Sequence, residues 1–138
     1  MRSKIVIALA VVAICVAPVS AQEEPVDPME EYLFAPELLM LHQRAIGLDD
    51  EQRAAIKKEI REAETRFGPL EWDLRSEMEA LGSLLAAERI DEERALALLE
   101  RILELEKEMK KTHLSLVVRI KNHLSAEQQE RLYDLRQR

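Results

Sequence analysis

The fold of this chain is set by a five-residue stretch, Leu48-Asp49-Asp50-Glu51-Gln52, which returns later in the chain as Leu124-Ser125-Ala126-Glu127-Gln128. Each copy has a leucine, then a residue that caps helices well, then a glutamine three positions after the cap. The side chain of Asp49 or Ser125 accepts a backbone hydrogen bond from the first turn, and Gln52 or Gln128 reaches back to the N–H of the cap. The pattern therefore predicts two helix starts. Each cap contributes about 1 kcal/mol, and the preceding leucine packs against a neighbouring helix.

Apolar residues at helical spacing predict an all-α fold of four helices around these two starts. Helix A covers residues 36–46 and stops at Gly47, which favours the end of a helix. Helix B begins after Asp49, and its apolar stripe keeps its phase through Gly68-Pro69, which favours one kinked helix over two. Helix C runs from Asp91 to about His123, and helix D follows Ser125. Because about four residues join B to C, these two form a long antiparallel hairpin.

Helix C carries a second apolar line beside its main stripe. Two adjoining lines indicate a helix that is covered on more than one side. The hairpin partner covers one side, so the second line predicts a homodimer in which the long helices pack across a two-fold axis. The residues of this second line are Leu96, Leu99, Leu103, Leu114 and Val117.

The first 21 residues have the features of a cleaved signal peptide. A charged start is followed by the apolar stretch from Ile5 to Val16, and Val19-Ser20-Ala21 is a small-residue cleavage site. The apolar stretch is shorter than the roughly 20 residues that a bilayer requires, so no stable membrane insertion is expected after cleavage. Cys15 leaves a lipoprotein signal as an alternative, which the bulky Ile14 before it disfavours. The predicted location is the periplasm.

These patterns divide the chain into three predicted segments: a signal peptide at residues 1–21, an acidic, proline-containing lead-in at 22–35, and a single helical domain at 36–138. Cleavage leaves no cysteine, so packing rather than a disulfide must hold the domain. It also removes Arg2 and Lys4 and no acid, which takes the net charge from −7 to −9. Such acidity disfavours nucleic acid and anionic membrane surfaces as partners, and it is compatible with cations or basic proteins.

The doubled Leu-(Asp/Ser)-x-x-Gln pattern resembles the LTxxQ motif of the Spy/CpxP family, periplasmic helical stress proteins that are related to periplasmic heavy-metal sensor and resistance proteins. Asp49 stands where that motif has Thr, and Asp caps a helix equally well. The resemblance spans most of the mature chain. It implies a curved, cradle-like dimer and an ATP-independent stress protein that binds unfolded envelope proteins or modulates a membrane sensor through its periplasmic domain. A heavy-metal sensor or resistance protein is the alternative, and a passive helical assembly module is a third possibility.

Four residues are candidate ligands for zinc or another divalent metal. The resembled metal sensors carry a His-x-x-x-His pair on the first helix, but here His42 is followed four residues later by Ile46. Met40 is a soft ligand close by. His113 and His123 on helix C have no His or Cys one turn away, so a site would need ligands from different helices. A structural or solvated role is the commoner use of such isolated histidines.

The methionines have two interpretations. Met78 and Met109 fall in the apolar stripes, so core packing is expected for them. Met29 and Met40 lie on or near helix A, where they would suit a copper-like site or an adaptable surface for client proteins.

The remaining charged residues favour solvated helix faces over catalysis. Opposite charges four residues apart, such as Glu106 and Lys110, stabilise a helix by a few tenths of a kcal/mol; two similar pairs are Glu62 with Arg66 and Glu71 with Arg75. The sequence has no Ser-His-Asp arrangement, phosphate-binding loop or thiol nucleophile. We therefore predict a protein that is not an enzyme and that requires no cofactor.

Overall fold

The structure is a computed structural model that describes residues 27–137, and it confirms the all-α prediction. Its helices, in order, are α1 (Pro28–Tyr32), α2 (Pro36–His42), α3 (Asp50–Leu85), α4 (Glu92–Asn122) and α5 (Ala126–Arg136). The predicted helices A to D correspond to α2 to α5, and α1 is a short addition within the predicted lead-in. The predicted signal peptide at residues 1–21, with Cys15, lies outside the described residues.

The long hairpin is formed by α3 and α4, which have 36 and 31 residues. At 1.5 Å per residue these helices are about 54 and 47 Å long. Two ion pairs show that they keep one antiparallel register: Arg101 lies 3.0 Å from Glu77, and Arg119 lies 3.0 Å from Glu59. A step of 18 residues back along α3 therefore matches a step of 18 residues forward along α4.

Helix α2 ends at His42, four residues earlier than helix A was predicted to end. Residues 43–47 form turns instead, and Gly47 has a φ of +69°. Ile46 and Leu48 are both buried. Residues two apart lie on nearly opposite faces of an α-helix. A continued helix could not bury both, so the chain leaves the helix and turns through Gly47, whose missing Cβ allows a positive φ.

Helix α3 continues through Gly68-Pro69, as the phase of its apolar stripe predicted. Proline has no backbone N–H, so the carbonyl of Thr65 loses its helical hydrogen bond. Thr65, Gly68 and Pro69 are all exposed. Water can therefore hydrogen-bond to the Thr65 carbonyl in place of the missing N–H, so the proline is tolerated at this position. Trp72, three residues after the proline, is 72% exposed.

The hydrophobic core sits at the base of the hairpin, where the ends of α3 and α4 meet α2 and α5. Its largest fully buried side chains are Phe34, Leu39, Ile46, Ile56, Ile120 and Leu132. Fully burying each aliphatic or aromatic side chain contributes about 1.5–3 kcal/mol. The fold therefore has one stabilised end, and the rest of the hairpin projects from it.

The two copies of the motif meet at this base through a reciprocal pair of glutamine side chains. The amide nitrogen of Gln52 donates to Oε1 of Gln128 at 2.9 Å, and the amide nitrogen of Gln128 donates to Oε1 of Gln52 at 3.0 Å. Each nitrogen also donates to the carbonyl just before the other motif, Gln52 to His123 at 2.9 Å and Gln128 to Gly47 at 3.2 Å.

Each glutamine oxygen also accepts the backbone N–H of its own cap, from Asp49 at 3.2 Å and from Ser125 at 2.9 Å. Both helix starts are therefore complete capping boxes. Every donor and acceptor of the two amides is used, and Gln128 is only 9% exposed. The glutamine pair thus caps two helices and joins them to each other.

The end of α1 is held by side chains from the far end of the sequence. Lys121 donates to the carbonyl of Tyr32 at 2.7 Å, and the Tyr133 hydroxyl donates to the same oxygen at 3.0 Å. Arg136 donates to the carbonyls of Glu31 and Leu33. The last carbonyls of a helix have no partner within the helix, so these donors complete α1 and fix it against α4 and α5.

The surface ion pairs of α4 differ from the predicted ones. Lys107 pairs with Glu104 at 2.6 Å and Lys111 pairs with Glu108 at 2.9 Å, both three residues apart. The predicted pair of Glu106 with Lys110 is not formed. Charges three or four residues apart both lie on adjacent turns of a helix. The pairs that form are three residues apart, and Lys110 has no ion-pair partner among residues 27–137.

We expect Gln128→Ala to lower the free energy of unfolding by about 2 kcal/mol, because it leaves part-buried hydrogen-bonding groups of Gln52 and Gly47 without partners. Gln52→Ala should cost a similar amount. The double variant should cost less than the sum by about 1 kcal/mol, since the two residues share two hydrogen bonds. Urea unfolding followed by circular dichroism measures these values.

The exposed Gln137→Ala is the matched control and should change stability by less than 0.5 kcal/mol, as surface substitutions usually do. Strict additivity of the two glutamine substitutions would contradict the reciprocal pair.

Candidate functional surfaces

The half of the hairpin farthest from the core exposes most of the large apolar side chains. We call residues 72–103 the distal hairpin. Within it, Leu98 and Ile102 are the only buried residues. Seven large apolar side chains there are exposed: Trp72, Met78, Leu85, Ile90, Leu96, Leu99 and Leu103. Two helices packed side by side bury one face each, so the other faces of this ribbon remain open to a partner.

Five exposed apolar side chains, three in the distal hairpin and two nearer the base, form what we call the outer line of α4. Their spacing keeps them within one side of the helix, away from the seam with α3. Lys107 and Lys110 interrupt the line near its middle. Val117, which was predicted to belong to this line, is instead 2% exposed and lies in the base. The outer line consists of Leu96, Leu99, Leu103, Leu114 and Val118.

A charged cluster links α3 to the end of α4. One Nη of Arg119 lies 3.0 Å from Glu59 and 3.8 Å from Glu62, and Nε2 of His123 lies 3.5 Å from Glu59. The Arg119 hydrogen bond lowers the pKa of Glu59 below its ordinary value of 4.5, burial partly opposes this, and His123 lowers the pKa further. Arg119 therefore occupies, as an internal cation, the place beside these carboxylates that an external cation would need.

A groove with a volume of about 820 Å³ lies between the N-terminal segment and the base of the hairpin. Its walls come from α1, α2, α3 and α4, with Arg136 of α5 at one side. The apolar lining consists of Met29, Leu33, Phe34, Ala35, Leu38, Phe67, Met109 and Val117. The polar lining consists of Asp27, Lys110, His113 and Arg136.

The candidate metal ligands have three different surroundings. His42 and Met40 are half-buried on α2, His113 is exposed beside the groove, and His123 contacts Glu59 in the charged cluster. Within residues 27–137, no three His, Cys, Asp or Glu residues form a group that could hold a metal ion. A site that uses His42 together with His113 or His123 stays a prediction.

Met29, Met109 and His113 line the same groove, which was not predicted from the sequence. Met109 and His113 are four residues apart and so share a face of α4, which their spacing could have shown. The position of Met29 opposite them depends on how α1 is held by α4 and α5, and no local pattern carries that information.

We expect Glu59→Gln to lower the free energy of unfolding at neutral pH by about 1 kcal/mol or less, because the Arg119 partner is half exposed. A carboxyl whose pKa is lowered by folding stabilises the fold at pH values above its unfolded pKa. That contribution is lost as the pH falls through the folded pKa. The difference between wild type and variant should therefore shrink as the pH is lowered below 4.5.

Urea unfolding at a series of pH values measures this difference. Glu64→Gln, at an exposed position of the same helix, is the control and should show little difference from wild type at any pH. A deficit of Glu59→Gln that stays constant down to the lowest pH would contradict the ion-pair account.

Comparison with known proteins gives one result at the level of the family. The family model described as heavy-metal resistance matches residues 5–131. No curated protein and no solved structure matches the chain. Among the described residues, 27–137, no helix combines the length and the apolar character that crossing a membrane requires. The match agrees with the resemblance of the doubled motif, and the chain therefore belongs to the heavy-metal resistance family, whose members are helical, periplasmic-type proteins similar to Spy and CpxP.

Proposed function

We propose that this protein is an ATP-independent periplasmic stress protein that binds unfolded envelope proteins through its distal hairpin. The observation that carries the proposal is the exposure of large apolar side chains on a ribbon with little core of its own. Outside the outer line of α4 these are Trp72, Met78, Leu85 and Ile90. Contiguous exposed apolar surface on a soluble domain generally marks a site of interaction. The periplasmic location is supported by the family and by the predicted signal peptide.

The chemistry of this surface suits clients without a fixed shape. Trp72 and Met78 are 72% and 52% exposed on α3. Tryptophan contributes strongly to binding when it is buried by a partner, and the flexible methionine side chain adapts to irregular surfaces. Charged residues alternate with these side chains along both helices. They keep the free protein soluble and add weak, adaptable contacts to charged client segments. If the partner is instead the periplasmic domain of a membrane sensor, it would contact the same apolar and charged side chains of the distal hairpin.

The outer line of α4 supports a homodimer as the assembled form. In an antiparallel pairing about a two-fold axis, the leucines at one end of the line meet Leu114 and Val118 of a second copy. The centre of the line, with Lys107 and Lys110, then lies near the two-fold axis, where Lys107 is paired with Glu104 of its own chain. Trp72 and Met78 lie on the other helix of the hairpin and stay available for clients.

The double substitution Leu99→Glu/Leu103→Glu should convert the dimer to a monomer, because it places carboxylates in an apolar contact at one end of the line. Sedimentation velocity measures the change. Leu41→Glu is the control, since Leu41 is 76% exposed on α2 and lies outside the outer line. A wild-type chain that sediments as a monomer would refute the assembly.

The double substitution Trp72→Ser/Met78→Ser should reduce protection of an aggregating model client by at least half, while leaving the sedimentation of the protein unchanged. The measurement is light scattering with the chain 22–138 in chelator. Leu41→Ser is the matched control and should protect as well as wild type. No suppression of aggregation by wild type would refute client binding.

Binding of a heavy metal is the second candidate function, and the family match is the observation that favours it. The same light-scattering experiment with added zinc separates the two candidates. Protection in chelator supports the client-binding proposal and makes metal secondary. Protection that requires zinc supports a metal-dependent function instead. The residues to substitute next would then be His42, His113, His123 and Met40.

A further inference from the structure

The groove at the base of the hairpin has the size and lining of a small-molecule site. Its volume of about 820 Å³ lies within the range of about 300–1,000 Å³ that is common for such sites. Met29, Leu33, Leu38, Phe67 and Met109 line it and are each half-buried, so they retain apolar surface that a ligand could cover. The groove is formed by residues outside the distal hairpin, and Lys110 at its edge also interrupts the outer line of α4. None of the seven exposed side chains of the distal hairpin lines it.

The charged side chains at the groove are mainly basic, although the chain as a whole has a net charge of −7. Lys110 and His113 lie side by side on α4, three residues apart, and both are exposed. The side chain of Lys110 makes no hydrogen bond or ion pair with any described residue. Arg136 adds a third basic group, whose guanidinium also holds the carbonyls of Glu31 and Leu33. The one acid, Asp27, accepts a 2.8 Å hydrogen bond from the Met29 N–H as the cap of α1.

We propose that this groove binds a free fatty acid, which is a single hydrocarbon chain with an anionic head. The chain covers the apolar walls, and the carboxylate lies at the edge formed by Lys110 and His113. A client peptide fits the groove less well, because its backbone N–H and carbonyl groups would lose water against apolar walls without gaining partners. A hydrocarbon chain has no such groups.

The groove exists because α1 is held in place by α4 and α5. Lys121 and Tyr133 bind the carbonyl of Tyr32 and so position Met29 and Leu33 opposite Met109. Phe34 is fully buried against Tyr133, with ring centroids 4.8 Å apart. The apolar walls are therefore formed before a ligand arrives, which lowers the cost of binding.

The test is calorimetric titration of the chain 22–138 with dodecanoate below its critical micelle concentration. Dodecyl maltoside and dodecyltrimethylammonium have the same chain with a neutral and a cationic head. We expect dodecanoate to bind tightest and the cationic ligand weakest. Shortening the chain by two carbons should lower the affinity roughly tenfold, since each buried methylene contributes about 0.8 kcal/mol.

Two kinds of variant locate the site. Lys110→Glu should weaken dodecanoate about tenfold and leave dodecyl maltoside within twofold, whereas Lys57→Glu, at an exposed position of α3, should change neither. Met109→Trp fills the groove and should abolish binding of both ligands. Leu38→Trp fills it from the α2 wall and replaces Met109→Trp if circular dichroism shows that the latter is unfolded.

Four outcomes would overturn the proposal. The first is no binding of dodecanoate by wild type, and the second is equal binding of all three head groups. The third is unchanged binding by a folded variant with a filled groove. The fourth is preferential binding to phosphatidylglycerol vesicles, which would indicate a membrane surface instead of a free chain. Stoichiometric binding of Ag⁺ without dodecanoate binding would assign Met29, Met109 and His113 to a soft-metal site.

Discussion

The reciprocal hydrogen bonds between Gln52 and Gln128 are the constraint on which the rest of the structure depends. Each amide completes the cap of its own helix and also binds the other amide, so the starts of α3 and α5 are held at one place. Both amides have all of their hydrogen-bond partners. Removing one side chain therefore leaves hydrogen-bonding groups of the other without partners. The doubled motif is therefore a joint between two helices, and its glutamines are more restricted than capping alone would require.

This joint separates the molecule into a packed base and a thin extension. Near the joint, α2 and α5 cover the ends of the hairpin and a core forms around Ile56, Ile120 and Leu132. Beyond it, α3 and α4 cover only each other, and apolar side chains face solvent. A two-helix ribbon has too few neighbours to bury several faces. The same geometry that limits the core thus creates the surface that we assign to clients and to a second copy.

The N-terminal segment shows how distant residues create a site. Lys121, Tyr133 and Arg136 bind the last carbonyls of α1 and place it across from α4. The groove forms between these elements, and it combines apolar walls with basic groups on an acidic chain. At the neighbouring cluster, Arg119 instead neutralises Glu59 and Glu62. The Arg119 cluster is therefore paired internally. The groove, in contrast, has Lys110, which has no ion-pair partner among the described residues.

The sequence by itself determined the helices, their caps and the antiparallel hairpin, because capping and apolar spacing are local properties that act within one or two turns. It also indicated the family through the doubled motif, and the family match agrees. Only the tertiary structure decided that the two glutamines bind each other, that helix A ends at His42, and that Met29 faces Met109 and His113 across a groove. The glutamine pair joins residues 76 positions apart, and the groove brings together residues 80 or more positions apart. Such positions depend on how the helices pack, which no short pattern encodes.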